Sequence, residues 1–173
     1  SDMKVDTRSA KVERNRRMLT ELLLADHPSP CKREQTTGDC QLEALGRDYN
    51  LLSDDATTRE NSEPKFVGSR ITLAVDDSSP VIAVDHQACI LCDRCVRACD
   101  DVQSNEVIGR TGKGFAAGIA FDLNLPMGES TCVSCGECVA TCPTGALTPK
   151  PITTIPVPQD ELRAVDSVCP YCG

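Results

Sequence analysis

Cys89, Cys92, Cys95 and Cys99 recur at the same intervals as Cys132, Cys135, Cys138 and Cys142. Both runs read C-x2-C-x2-C-x3-C, and the second continues into Pro143. Three thiolates at this interval on a tight loop can wrap three irons of one [4Fe-4S] cubane. The fourth cysteine, placed where a helix begins and pointing away, then serves the neighbouring cluster. The spacing therefore predicts two crossed clusters. Cys89, Cys92, Cys95 and Cys142 hold one, and Cys132, Cys135, Cys138 and Cys99 hold the other. Each half lends a ligand to its neighbour, so the two clusters must be close, as electron transfer requires. Structural zinc takes four ligands, and two full combs of four in a duplicated pattern fit it poorly. Disulfides fit less well, because cysteines three apart in one comb cannot all pair and nothing marks the chain as secreted.

Two further groups carry soft ligands. His27 and Cys31 are four apart, and Cys40 lies nine beyond. Imidazole and thiolate together suit zinc or an iron-sulfur cluster, but a closed site wants four ligands and only three soft ones are present. At the other end stands Val168-Cys169-Pro170-Tyr171-Cys172-Gly173. Cys-Pro-Tyr-Cys is also a dithiol redox motif, but that role needs a following helix and a surrounding fold. The segment reads as the first half of a further metal site.

The elements that position these groups can be placed. Residues 7–25 read as a helix with Val12, Leu19, Leu22 and Leu23 on one apolar face, Thr7 or Ser9 as cap, and Arg14, Arg16 and Arg17 on a wet face. Pro28 and Pro30 stop it. A second short helix covers Gln41 to Gly46, and the polar residues 47–64 read as loop. Strands are expected at Phe66–Val75 and Pro80–Val84, with a turn at Asp76–Ser79 between them. The spacer between the combs holds two or three short strands with glycine turns around Val107–Gly109, Gly112–Phe115 and Gly118–Phe121. Gly112-x-Gly114 lacks the full phosphate-loop fingerprint and reads as a turn. Prolines 149, 151, 156 and 158 mark an extended linker.

Only 3% of the 173 residues are aromatic and none is Trp, so the twelve cysteines and their metals must substitute for a large apolar core. The net charge of -8 argues against nucleic acid, which wants a basic surface. Residues 1–34 hold eight Lys/Arg against six Asp/Glu, and the remainder holds ten against twenty. The cluster-bearing part is thus the acidic one. No stretch has the apolar length of a membrane span and the N-terminus lacks a signal-peptide core, so a cytoplasmic location is expected.

The order of these features resembles the N-terminal electron-transfer region of the catalytic subunit of molybdenum- or tungsten-dependent, NAD-linked formate dehydrogenases. It is also similar to the large iron-sulfur subunit of respiratory complex I and to the front of some iron-only hydrogenases. "ELLLADHPSPC" (Glu21 to Cys31) looks like the family's entry to a histidine-ligated [4Fe-4S] cluster. The double comb looks like its two-cluster ferredoxin module, and "VCPYCG" like the opening of its molybdopterin domain. The resemblance implies an α+β architecture: a helical His/Cys segment over 1–63, a bacterial-type two-[4Fe-4S] ferredoxin domain over 64–148, a linker over 149–165, and the start of a molybdopterin domain over 166–173. It implies that Cys169 and Cys172 begin the ligand set of another [4Fe-4S] cluster beside a Mo/W-bis-pterin, and that a third cubane could sit at His27, Cys31 and Cys40. Its expected partners are the rest of the catalytic subunit and flavin- and NAD-binding iron-sulfur subunits. One departure matters: the family pattern H-x3-C-x2-C-x5-C puts a cysteine where this chain has Glu34. Either Glu34 supplies a carboxylate ligand or the site has lost its cluster.

Overall fold

A computed structural model describes residues 3–52 and 74–150, together with Arg163 and Asp166. The N-terminal part is helical: α1 (Ala10–Asp26), α2 (Lys32–Thr36) and α3 (Gln41–Asp48). The remainder follows the order β1 (Ile82–Val84), α4 (Arg94–Arg97), β2 (Ile108–Thr111), β3 (Gly118–Phe121), α5 (Glu137–Thr141) and β4 (Leu147–Pro149). Strands β1 and β4 pair antiparallel with Val84 opposite Leu147, so the chain leaving the second comb closes against the strand that enters the first. Strands β2 and β3 form an antiparallel hairpin with Ile108 opposite Phe121. The expected strand at Phe66–Val75 lies almost entirely outside the described residues, as does the proline linker beyond Lys150.

Ser9 caps α1 by accepting the Val12 N–H (3.4 Å). The face that α1 buries is not the expected one. Leu19, Leu22 and Leu23 are 55%, 49% and 42% exposed, whereas Thr20, Leu24 and the following His27 are buried. The reason is tertiary: α1 packs on α3, and Leu24 and Leu52 both lie against Gly46. Arg14, Arg16 and Arg17 stay exposed as expected, and Arg17 also donates to the Tyr49 carbonyl (2.8 Å). The core of the strand-bearing half is Val84, Ile108, Ile119, Phe121, Met127 and Leu147.

The two halves dock through backbone. Gln41 N–H donates to the Pro143 carbonyl (2.9 Å), and Arg33 donates to the Cys142 carbonyl (2.8 Å) while held by Asp39 (2.9 and 2.8 Å). Gly145 permits the approach, because a Cβ there would stand 3.0 Å from Cys31 Sγ and from the Lys32 and Arg33 nitrogens. The His/Cys segment is thereby held against the tail of the second comb.

Candidate metal centres

The two combs share one backbone conformation. Leu91 (φ 57°) and Ser134 (φ 58°) precede the second cysteine of each, and Asp93 (φ 60°) and Gly136 (φ 82°) follow it. Left-handed backbone costs an L residue roughly 1–2 kcal/mol, and only Gly136 escapes that cost, so the surroundings must hold these turns. On the first comb Arg110 of β2 does so. It grips the Asp93 carboxylate through two N–H groups (2.7 and 2.8 Å) and the Leu91 carbonyl through Nη2 (2.7 Å), fixing both left-handed residues at once. The pair keeps the Asp93 carboxyl below the usual range. On the second comb Asp122 accepts from the Thr131 N–H (2.6 Å) and hydroxyl (3.0 Å), and the Ser130 hydroxyl accepts the Cys132 N–H (3.3 Å). Arg110→Ala is expected to make the first cavity's cluster several-fold more labile to oxygen than the second's, followed by loss of its visible absorbance in air. Equal decay of both would show that the clamp is immaterial.

Asp93 and Gly136 are the left-handed N-caps of α4 and α5, so the third cysteine falls in the first turn: Cys95 in α4 and Cys138 in α5. The fourth falls one turn later, Cys99 in the wide turn Ala98–Val102 and Cys142 at the end of α5. This corrects the expectation that the fourth cysteine stands where a helix begins. The helix starts earlier because the left-handed residue reverses the chain just after the second cysteine.

The thiols then converge in two groups. Cys89, Cys92, Cys95 and Cys142 line one cavity, walled by Ile90, Leu91, Ile119 and Leu147. Cys99, Cys132, Cys135 and Cys138 line a second, walled by Ile82, Val107 and Ile108. Each cavity takes three cysteines from one comb and the fourth from the other. Backbone N–H groups point at the sulfurs, Val107 to Cys99 (3.4 Å) and Ser134 to Cys132 (3.4 Å). Burial, and then the other cysteines around it, pushes the Cys95 thiol up to about 12; Cys138 is likewise pushed up to about 12. Cys95 and Cys138 therefore ionise readily only where positive charge shares their cavity. The donor set therefore fits a cationic iron-sulfur core, and such a group supplies one-electron storage and release.

His27, Cys31 and Cys40 also meet, but the acid that joins them is Glu43. The four side chains are buried, with one ligand atom from each lying within 4.8 Å of the others. His27 Nε2 stands 3.7 Å from Cys40 Sγ and 3.4 Å from Glu43 Oε1, which accepts the Cys31 N–H at 2.7 Å. Glu34 is turned elsewhere, paired with Arg47 (2.9 Å) and accepting the Cys40 N–H (3.1 Å). Glu43 follows Cys40 by one helical turn on α3, and that i, i+3 relation is the signal the spacing carried for it. A hydrogen bond to Cys40 and burial raise the Cys31 thiol, and the same bond lowers Cys40. Cys169 and Cys172 lie outside the described residues.

Residues 88–146 match the family model described as a 4Fe-4S dicluster domain. The HndD subunit of the NADP-reducing hydrogenase of Solidesulfovibrio fructosivorans is 34% identical over 84% of this chain and 23% of its own length. The 75 kDa subunit of NADH-ubiquinone oxidoreductase of Acanthamoeba castellanii is 30% identical over 97% of this chain and 23% of its own. The putative formate dehydrogenase SH0748 of Staphylococcus haemolyticus is 30% identical over 84% and 14%. The chain thus spans less than a quarter of the length of these curated relatives. Among solved structures, a crystal structure of an NAD+-reducing [NiFe]-hydrogenase in the H2-reduced state superposes with TM-score 0.68 at 27% identity, covering 86% of this chain and 60% of that one.

Proposed function

We propose that this chain is the electron-relay region of the catalytic subunit of an NAD-linked formate dehydrogenase. Its coarser character is that of an iron-sulfur electron-transfer region of NAD(P)-linked oxidoreductase subunits. In this reading Cys89, Cys92, Cys95 and Cys142 hold one [4Fe-4S] cluster, and Cys99, Cys132, Cys135 and Cys138 the other. Electrons released at a Mo/W-pterin site beyond Cys169 and Cys172 travel through the relay towards flavin- and NAD-binding subunits. The observation that carries it is the sharing of cysteines between two cavities: α4 and α5, each one turn long, span from one cavity to the next and keep them adjacent. The cavities bury Cys95, Cys99, Cys138 and Cys142 and leave Cys92 and Cys135 at the surface, and the N–H groups aimed at Cys99 and Cys132 stabilise added negative charge, which raises the potential.

The terminal "VCPYCG" segment and the formate dehydrogenase-like relative favour formate as the electron source. A hydrogenase is the second reading, favoured by the hydrogenases among the similar proteins. In either case no helix among the described residues is long and apolar enough to cross a membrane. The natural full-length protein, purified anaerobically, is expected to develop the electron paramagnetic resonance of reduced clusters on addition of formate. Reduction by hydrogen and not by formate would replace the first reading with the second, and reduction by NADH alone would remove both.

A further inference from the structure

We propose that His27, Cys31, Cys40 and Glu43 bind one zinc ion, a mononuclear site in the position where the family resemblance implies a cubane. The site does not depend on the formate reading. It begins with distance. Zinc holds sulfur at about 2.3 Å and nitrogen or oxygen at about 2.0–2.2 Å, which at the tetrahedral angle sets neighbouring ligand atoms roughly 3.3–3.8 Å apart. His27 Nε2 lies 3.7 Å from Cys40 Sγ and 3.4 Å from Glu43 Oε1, and one ligand atom of each of the four residues lies within 4.8 Å of the rest. That space admits one ion. Four irons and four sulfides would have to be interposed for a cubane, and the position that should supply its third thiolate holds Glu34, committed to Arg47 and to the Cys40 N–H.

Charge points the same way. Glu43 is fully buried, and among the described residues its only basic neighbour within 4 Å is His27. One of its oxygens accepts the Cys31 N–H, while Oε2 is buried with no hydrogen-bond partner. A carboxylate in that setting is costly unless a cation compensates it. Arg33, the nearest arginine in sequence to Cys31, is spent on Asp39 and on the Cys142 and Val139 carbonyls. Two thiolates, one imidazole and one carboxylate form a closed four-ligand set of the softness zinc selects.

The local fold presents these ligands from three helix ends. His27 terminates α1, Cys31 and Cys40 precede α2 and α3 without using their sulfurs as caps, and Glu43 lies in the first turn of α3. Binding ionises both thiols, so Zn2+ enters as up to two protons leave. Zinc has no redox chemistry at this site. It would staple α1 to α3 beside the second comb's tail, and electron transfer would stop at the cavity of Cys89 on this side.

The test uses the natural full-length protein. Elemental analysis after anaerobic purification is expected to show zinc that the double variant Cys31→Ala/Cys40→Ala lacks, about one per chain, with iron unchanged. Zinc K-edge absorption of the unmodified protein should give two sulfurs and two nitrogen or oxygen neighbours. Loss of about four irons per chain in the variant would place a cubane there instead, and no change in either metal would make the cluster a packed polar group. Should the variant fail to fold, the unmodified protein still decides: a zinc-free preparation, or zinc with a different ligand set, overturns the site.

Discussion

Cys142→Ala is expected to remove the cluster of the first comb while sparing that of its own. Cys142 belongs in sequence to the second comb, yet it lines the cavity of Cys89, Cys92 and Cys95. The converse variant, Cys99→Ala, should remove the cluster ringed by Cys132, Cys135 and Cys138. A cubane bound by three thiolates loses a ligand that water replaces poorly in an apolar pocket, so each variant should lose up to about four irons per chain. Paramagnetic resonance of the dithionite-reduced protein distinguishes the two sites by the coupling between them. Each variant should leave one uncoupled cluster signal, and the surviving signals of the two variants should differ. Loss of the near cluster in each case, Cys142→Ala depleting the Cys132 set, would refute the crossed arrangement.

Removing both clusters should unfold most of residues 80–150. The strands there are three or four residues long and sit in two-stranded sheets, which are marginal on their own in water. Cys95, Cys99, Cys138 and Cys142 are themselves part of the buried core. Structural metal ions contribute of order 10 kcal/mol to small domains, comparable with the whole stability of a typical fold. Hydrogen exchange read by mass spectrometry, before and after anaerobic chelation of iron, should show protection vanish from β1 to β4. Cluster-free protein that kept those amides protected and melted cooperatively would contradict this. A zinc site that resists the chelator should leave α1 and α3 more protected than the strands, an internal reference within the same molecule.

Several features are legible in the residues because they depend on neighbours close in sequence. The comb spacing, a helix cap at Thr7 or Ser9, the helix after Cys40 and the hairpin around Gly112 are of this kind, the structure choosing Ser9. Others depend on residues far apart. Leu19, Leu22 and Leu23 have the period of a buried face, but α3 approaches from the side of Leu24, so period alone picks the wrong side. Glu34 stands where the resembled pattern has a cysteine, yet Arg47 across the turn draws it away and Glu43 enters instead. Arg110, seventeen residues from Asp93, carries no motif that announces its grip on the first comb.

Which thiols exist, that they come in two combs, and the expectation that each comb lends its fourth cysteine to the other can all be read along the chain, because spacing constrains what a short loop can wrap. Folding in three dimensions settled the rest: which carboxylate joins His27, which side of α1 is buried and which arginine steadies the first comb. Those outcomes follow from which surfaces meet, and contact between distant segments is set by packing of the whole fold and by the cost of leaving a buried charge alone.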